Sequence, residues 1–109
     1  MSEQAANVRD LTPQEVARGL DEGRIILVDV REPNETALER IPGSVLIPLS
    51  AFDPGEIPAP AGRDVVFSCR SGRRSVTASL AAQEQGFAYA SHLAGGILAW
   101  KAAGLPTEV

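Results

Sequence analysis

The chain has 109 residues, 44% of them hydrophobic, with a formal net charge of −4 at pH 7. That length suits one core and is too short to divide, so we expect a single domain over residues 1–109 with its core at about 7–106. An acidic balance argues against nonspecific attachment to nucleic acid or to an anionic membrane, because both need a broad basic surface.

Met1-Ser2-Glu3-Gln4-Ala5-Ala6 has no basic segment followed by an apolar core, so it reads as a disordered tail and not as a signal peptide. No apolar run approaches the ~20 residues that cross a bilayer. Together with one unpaired thiol, this points to a cytoplasmic protein. Asn7–Asp10 is expected to be a short edge strand. Thr12-Pro13-Gln14-Glu15 is a capping box with proline at the first helical position, opening a helix that buries Val16, Ala17 and Leu20 and stops at Gly23. Ile25-Ile26-Leu27-Val28 is apolar without alternation, as in a central strand covered on both faces, and it ends at Asp29. A short helix from Pro33 or Asn34 through Arg40, a turn at Pro42-Gly43 and a second buried strand at Val45–Ile47 follow. Ser50–Arg63 is rich in proline and poor in apolar anchors, so it reads as a loop with one helical turn at Ser50–Asp53. Val65–Ser68 is a third apolar strand and Arg74–Gln85 a helix, capped by Gly86 and Phe87. Ala88–Leu93 makes the last strand. Gly95-Gly96 opens a final helix in which Trp100 is assigned to packing.

Strands that alternate with helices imply an α/β fold: a mainly parallel central sheet of about five strands, flanked by helices on both faces. Ligands bind such sheets outside the carboxyl ends of the strands. The stretch placed there is Val65-Val66-Phe67-Ser68-Cys69-Arg70-Ser71-Gly72-Arg73-Arg74-Ser75-Val76, which runs from a strand through the only cysteine into a helix start. A lone cysteine after an apolar strand is most often a small buried hydrophobe. Here, however, three of the ten basic residues of an acidic chain, Arg70, Arg73 and Arg74, fall within five positions of it. Unpaired N–H groups at a helix start and neighbouring guanidinium groups both stabilise a thiolate, so Cys69 is read as a nucleophile. Gly72 supplies the backbone freedom to curl successive amides toward the sulfur.

Spacing narrows the chemistry. Cysteine-dependent phosphatases place five residues between the cysteine and an arginine that clamps phosphoryl oxygens. In this chain that place is Ser75, and the arginine falls one position early. A ring of amides shorter by one residue suits a single sulfur atom on the thiol better than a tetrahedral phosphate. With no second cysteine, a Cys-x-x-Cys couple, a disulfide framework and a multi-cysteine zinc site are excluded. No metal or cofactor is called for.

Leu27-Val28-Asp29-Val30-Arg31-Glu32, Ile41-Pro42-Gly43-Ser44 with Ile47-Pro48-Leu49, the Cys69–Ser75 loop, and Leu93-Ala94-Gly95-Gly96-Ile97 with Trp100 occur in one order along the chain. In that order the sequence resembles the single-domain rhodaneses, sulfurtransferases that carry sulfur as a cysteine persulfide. The likeness runs from about Leu11 to Pro106, and the motifs are specific as a set. One departure is Arg40, where the family commonly has histidine before the Ile-Pro-Gly; it alters the entrance to a turn and leaves the thiol chemistry untouched. The resemblance implies the same α/β architecture and a Cys69 nucleophile.

On this reading the amides of Arg70, Ser71, Gly72, Arg73, Arg74 and Ser75 cradle the persulfide, and the arginines form an open rim that selects the donor. Asp29 and Arg31 are expected to pair and fix the loop in a structural role. His92, the only histidine, is assigned a structural role too, because dipole and charge make the thiolate without a base. The partners expected are a small anionic sulfur donor such as thiosulfate and an external acceptor: cyanide, a small thiol or a protein thiol. A phosphatase or arsenate reductase, and a non-catalytic binding module, are the alternatives. The sulfur-carrying reading requires inward-facing peptide hydrogens and a thiol that is not sealed in the interior.

Overall fold

A computed structural model describes residues 7–109; the reading of residues 1–6 as a tail lies outside the described residues. Five strands, β1 (Arg9–Leu11), β2 (Ile25–Asp29), β3 (Val45–Leu46), β4 (Asp64–Ser68) and β5 (Ser91–Leu93), form one sheet in the order β1-β5-β4-β2-β3. Every pairing is parallel. Four helices, α1 (Pro13–Asp21), α2 (Pro33–Thr36), α3 (Arg74–Glu84) and α4 (Gly96–Ala102), connect or follow the strands.

The two central strands explain the layering. Residues β2 and β4 alternate between two cores, as pleating requires. Ile26, Val28, Val65 and Phe67 pack with Ala78 and Ala82 of α3, while Ile25, Leu27 and Val66 pack with Val16 of α1 and Ile97 and Trp100 of α4. Both faces of the sheet are therefore covered, which is why these strands read as unbroken apolar runs. The capping box of α1 forms as read: Glu15 N–H donates to Thr12 Oγ1 at 3.1 Å and Thr12 N–H to Glu15 Oε1 at 2.9 Å. Trp100 is buried and its indole donates to the Pro106 carbonyl at 2.8 Å.

Several boundaries differ from expectation. The first strand is Arg9–Leu11 and not Asn7–Asp10, and the last is Ser91–Leu93 and not Ala88–Leu93, because the two pair only from Arg9 with Ser91 to Leu11 with Leu93. The strand at Val45 is a two-residue edge strand with Leu46 exposed, in place of a buried strand, since β2 is its only neighbour. The helix from Pro33 stops at Thr36, four residues early, because Arg40 is drawn into an antiparallel bridge with Glu108. Arg40 also meets the Glu108 carboxylate at 2.8 Å, so the residue at the departure from the family pattern ties down the C-terminal segment. The proline-rich stretch holds two 3₁₀ turns, Leu49–Ala51 and Pro54–Glu56, and it is anchored after all: Phe52 packs edge-on against Phe67 at 5.7 Å and Ile57 is buried.

Parallel register sets the functional rim. Asp29 stands opposite Ser68 at the carboxyl ends of β2 and β4, so Asp29 and Cys69 share one rim of the sheet.

Candidate active site

The loop from Cys69 to Arg73 is held from outside by its carbonyls. Ile97 and Leu98, in the first turn of α4, donate their N–H groups to the carbonyls of Cys69 at 2.9 Å and Arg70 at 3.1 Å. Gly96 permits this approach: its φ is +60°, and a Cβ there would land on those same carbonyl groups. With these two carbonyls turned outward, two of the six amides expected around the sulfur, those of Gly72 and Ser75, make hydrogen bonds to it. Gly72 N–H reaches Cys69 Sγ at 3.1 Å and Ser75 N–H, in the first turn of α3, reaches it at 3.4 Å. Gly72 has φ +100°, the left-handed region that only glycine enters freely.

The sulfur lies 3.5 Å from Ser75 Oγ, and Ser75 Oγ lies 2.8 Å from His92 Nδ1. His92 Nε2 is in turn 2.7 Å from Asp10 Oδ1. Burial pushes the Cys69 thiol up, but the Ser75 hydroxyl and the N–H groups of Ser75, Gly72 and Ser71 outweigh it, and the thiol is held below its ordinary value. Cys69 is only 1% exposed. The thiol expected to be unsealed is therefore buried, because it packs into the core beneath the loop with Val28, Val30 and Phe67, and the approach is narrower than an open arginine rim would give.

The predicted arginines separate into different roles. Arg70 and Arg73 are exposed, with no ion pair among the described residues. Arg74 is clamped instead: its two terminal nitrogens bind both oxygens of Glu35 on α2 at 2.7 and 2.9 Å. That bidentate contact holds the Glu35 carboxyl down to about 2 and raises Arg74. Asp29 and Arg31 are buried together, with Arg31 Nη2 at 2.8 Å from Asp29 Oδ2 and the Arg31 N–H at 3.0 Å from Oδ1. Arg31 Nη2 also reaches the Glu39 carbonyl at 2.8 Å, which fastens the segment after α2 to the rim. A cleft of about 270 Å³ opens beside the loop, lined by Arg70, Leu38, Leu98 and Lys101 among others. Ser71 is exposed at the top of the loop.

A family model described as a rhodanese-like domain matches residues 12–103. This chain belongs to the rhodanese-like family. It is 40% identical over 82 residues to a sulfurtransferase of Allochromatium vinosum, covering 75% of this chain and 77% of that protein. It is 44% identical over 100 residues to the probable adenylyltransferase/sulfurtransferase MoeZ of Mycobacterium tuberculosis, covering 89% of this chain. The match occupies only 26% of MoeZ, so the rhodanese-like chain corresponds to about a quarter of that protein's length. Among solved structures, a Rhodopseudomonas palustris protein of unknown function, described as a possible tyrosine phosphatase, superposes with a TM-score of 0.81 at 30% identity, over 97% of this chain and 89% of that one. The rhodanese-like domain and its sulfurtransferase relatives make sulfur transfer the activity to examine at Cys69.

By sequence, His92 has a structural role and Asp10 a place on an edge strand; the structure joins the two behind Ser75 by hydrogen bonds. His92 lies on β5, next to the Cys69 strand β4, and Asp10 lies on β1, on the far side of β5; the one signal in the sequence is a histidine inside a strand, a side chain rarely buried without a partner.

Proposed function

We propose that this rhodanese-like protein moves a sulfane sulfur from an anionic donor such as thiosulfate to a thiophilic acceptor through a persulfide on Cys69. The Cys69 thiolate attacks the outer sulfur of the donor, the donor's S–S bond breaks, and sulfite leaves with that electron pair. The outer sulfur of the resulting persulfide is anionic and sits within reach of the loop amides. Cyanide or an external thiolate then attacks it, and Cys69 leaves as the thiolate with which the cycle began. The acceptor must be external because the chain has no second cysteine.

One observation carries the reading: the N–H groups of Gly72 and Ser75 converge on Cys69 Sγ at 3.1 and 3.4 Å. The depth of the sulfur runs against the unsealed thiol that this reading calls for, and it restricts the donors that fit. A thiol that is 1% exposed is reached by a donor that offers a protruding terminal atom, as thiosulfate does, while its sulfonate stays outside near Arg70 and Arg73. A phosphoester would have to bring its crowded phosphorus to the sulfur in line, so the phosphatase alternative fits less well. A reducing compartment such as the cytoplasm would keep such a thiol free. The test is intact-protein mass spectrometry after incubation with thiosulfate. We expect a gain of one sulfur atom, removed by cyanide and absent in Cys69→Ser. An unchanged mass, with turnover of an aryl phosphate that Cys69→Ser abolishes, would overturn the proposal in favour of phosphatase chemistry.

A further inference from the structure

A thiol that ionises must pass its proton to an acceptor, and Cys69, 1% exposed, has protein groups against nearly all of its surface. The hydrogen-bonded side chains behind it lead away from the loop in an unbroken line: Cys69 Sγ to Ser75 Oγ at 3.5 Å, Ser75 Oγ to His92 Nδ1 at 2.8 Å, His92 Nε2 to Asp10 Oδ1 at 2.7 Å. The line starts at a thiol that is 1% exposed and ends at a carboxylate whose side chain is 73% exposed. We propose that Ser75, His92 and Asp10 form a proton relay that takes the Cys69 proton, holds it on His92 and connects the closed site to solvent at the edge of the sheet.

The inference rests on the reading of Cys69 as the sulfur-carrying nucleophile. The directions of the hydrogen bonds are consistent with one another. In the resting thiol, Cys69 donates to Ser75 Oγ, Ser75 donates to His92 Nδ1, and His92 Nε2–H donates to Asp10. On ionisation the thiol proton passes to Ser75 Oγ as the Ser75 proton passes to Nδ1. Sulfur keeps the electron pair, His92 becomes imidazolium, and the net charge of the group is unchanged. Both hydrogen bonds then point the other way, so Ser75 Oγ–H stabilises the thiolate and Nδ1–H stabilises Ser75. The Asp10 carboxylate fixes the tautomer and compensates the imidazolium charge.

Among the described residues, the hydrogen-bond partners of the His92 ring are Ser75 and Asp10. From β1 comes Asp10, from α3 Ser75, and from the active loop Gly72, whose Cα hydrogen faces the imidazole. The register partner on β4 is Phe67, which does not titrate. The ionisable side chains of this line are Cys69, His92 and Asp10. His92 touches no reacting atom, so it is a positioning residue that sets the charge state of Cys69 through Ser75.

The test is a pH titration of the thiolate ultraviolet absorbance, which a chain with a single cysteine reports without ambiguity once Cys69→Ser has been subtracted. His92→Asn keeps an oxygen where Nδ1 accepts from Ser75 but removes the base. We expect its thiolate midpoint to rise by about one pH unit, and its sulfur loading to fall about tenfold at neutral pH and recover at higher pH. The double variant with Asp10→Asn should shift no further than His92→Asn alone, because the carboxylate acts only through the imidazole. A folded His92→Asn with the wild-type midpoint overturns the relay, as does a loading defect of equal size at every pH. Should His92→Asn fail to fold, the solvent-facing Asp10→Asn decides: a smaller upward shift supports the relay and an unchanged midpoint overturns it. The titration needs no sulfur donor. Wild-type protein that takes no sulfur from thiosulfate would count against the proposed function and leave the relay measurable by itself.

Discussion

Charge at the site is decided residue by residue, and the guanidinium groups nearest the thiol in sequence are not those that act on it most. Arg74 follows the loop directly, yet Glu35 occupies both of its terminal nitrogens, and the N–H groups of Gly72 and Ser75 are what meet the sulfur. The thiol is consequently lowered by the Ser75 hydroxyl and by backbone N–H groups, while Arg70 and Arg73 remain free to meet an anion. The Glu35 clamp has its own signature in acid. Its carboxyl is depressed from 4.5 to about 2, so the pair contributes fully above the ordinary value and is lost as pH falls through that interval. Comparing wild type with Glu35→Gln by urea unfolding should therefore show a gap of about 0.5–1 kcal/mol near neutrality, modest because both side chains are partly solvated. The gap should close between about pH 4.5 and 2; a gap that persists at the acid end would show that the carboxylate is not what stabilises Arg74.

At the scale of elements, the site exists because α4 grips the active loop from outside. Gly96 lies at the closest point, where a Cβ would collide with the carbonyls of Cys69 and Arg70 and where φ is +60°. Gly96→Ala should cost about 2–3 kcal/mol of stability, combining backbone strain with a forced shift of the loop. It should also slow sulfur loading more than an equally destabilising substitution in the core that excludes Cys69, such as Val16→Ala; equal loading at equal stability would show that the grip does not shape the amide ring. Elements governed by neighbours in sequence were legible beforehand. The Thr12 capping box and the Gly86–Phe87 cap depend on contacts within a few residues, and Phe87 N–H does reach back to the Ala82 carbonyl at 3.0 Å; β2 and β4 pair at long range but show their two-sided burial in unbroken apolar runs. Elements set by distant partners were not. β3 reads as buried by composition but lies at an edge, α2 is cut short by a bridge to Glu108, and Asp10 meets His92 across 82 positions of sequence. The cysteine and its amides were readable because strand, turn and helix start are contiguous; the histidine behind them depends on which strand lies next to which.

Over the whole molecule, a surface with net charge −4 surrounds a rim that presents Arg70 and Arg73, and these two scales of charge act on a dianionic donor in opposite directions. Ionic strength selects between them. At about 0.01 M salt the screening length is ~30 Å. That is comparable with the molecule's extents of 33 × 30 × 26 Å, so an approaching anion experiences the overall negative charge. At about 0.1 M the length contracts to ~10 Å, distant carboxylates are screened, and the nearby arginines dominate. Toward 1 M, at ~3 Å, the arginines are screened as well. The kcat/KM for thiosulfate should accordingly rise and then fall as salt increases, with its maximum near the intermediate concentration. In the double variant Arg70→Ala, Arg73→Ala, only the repulsive part is left, so kcat/KM should be lower, by about tenfold at the wild-type maximum, and should increase with salt throughout. A wild-type profile that falls steadily from the lowest salt would mean that the local arginines outweigh the net charge at every distance, and one identical in the double variant would remove them from donor capture.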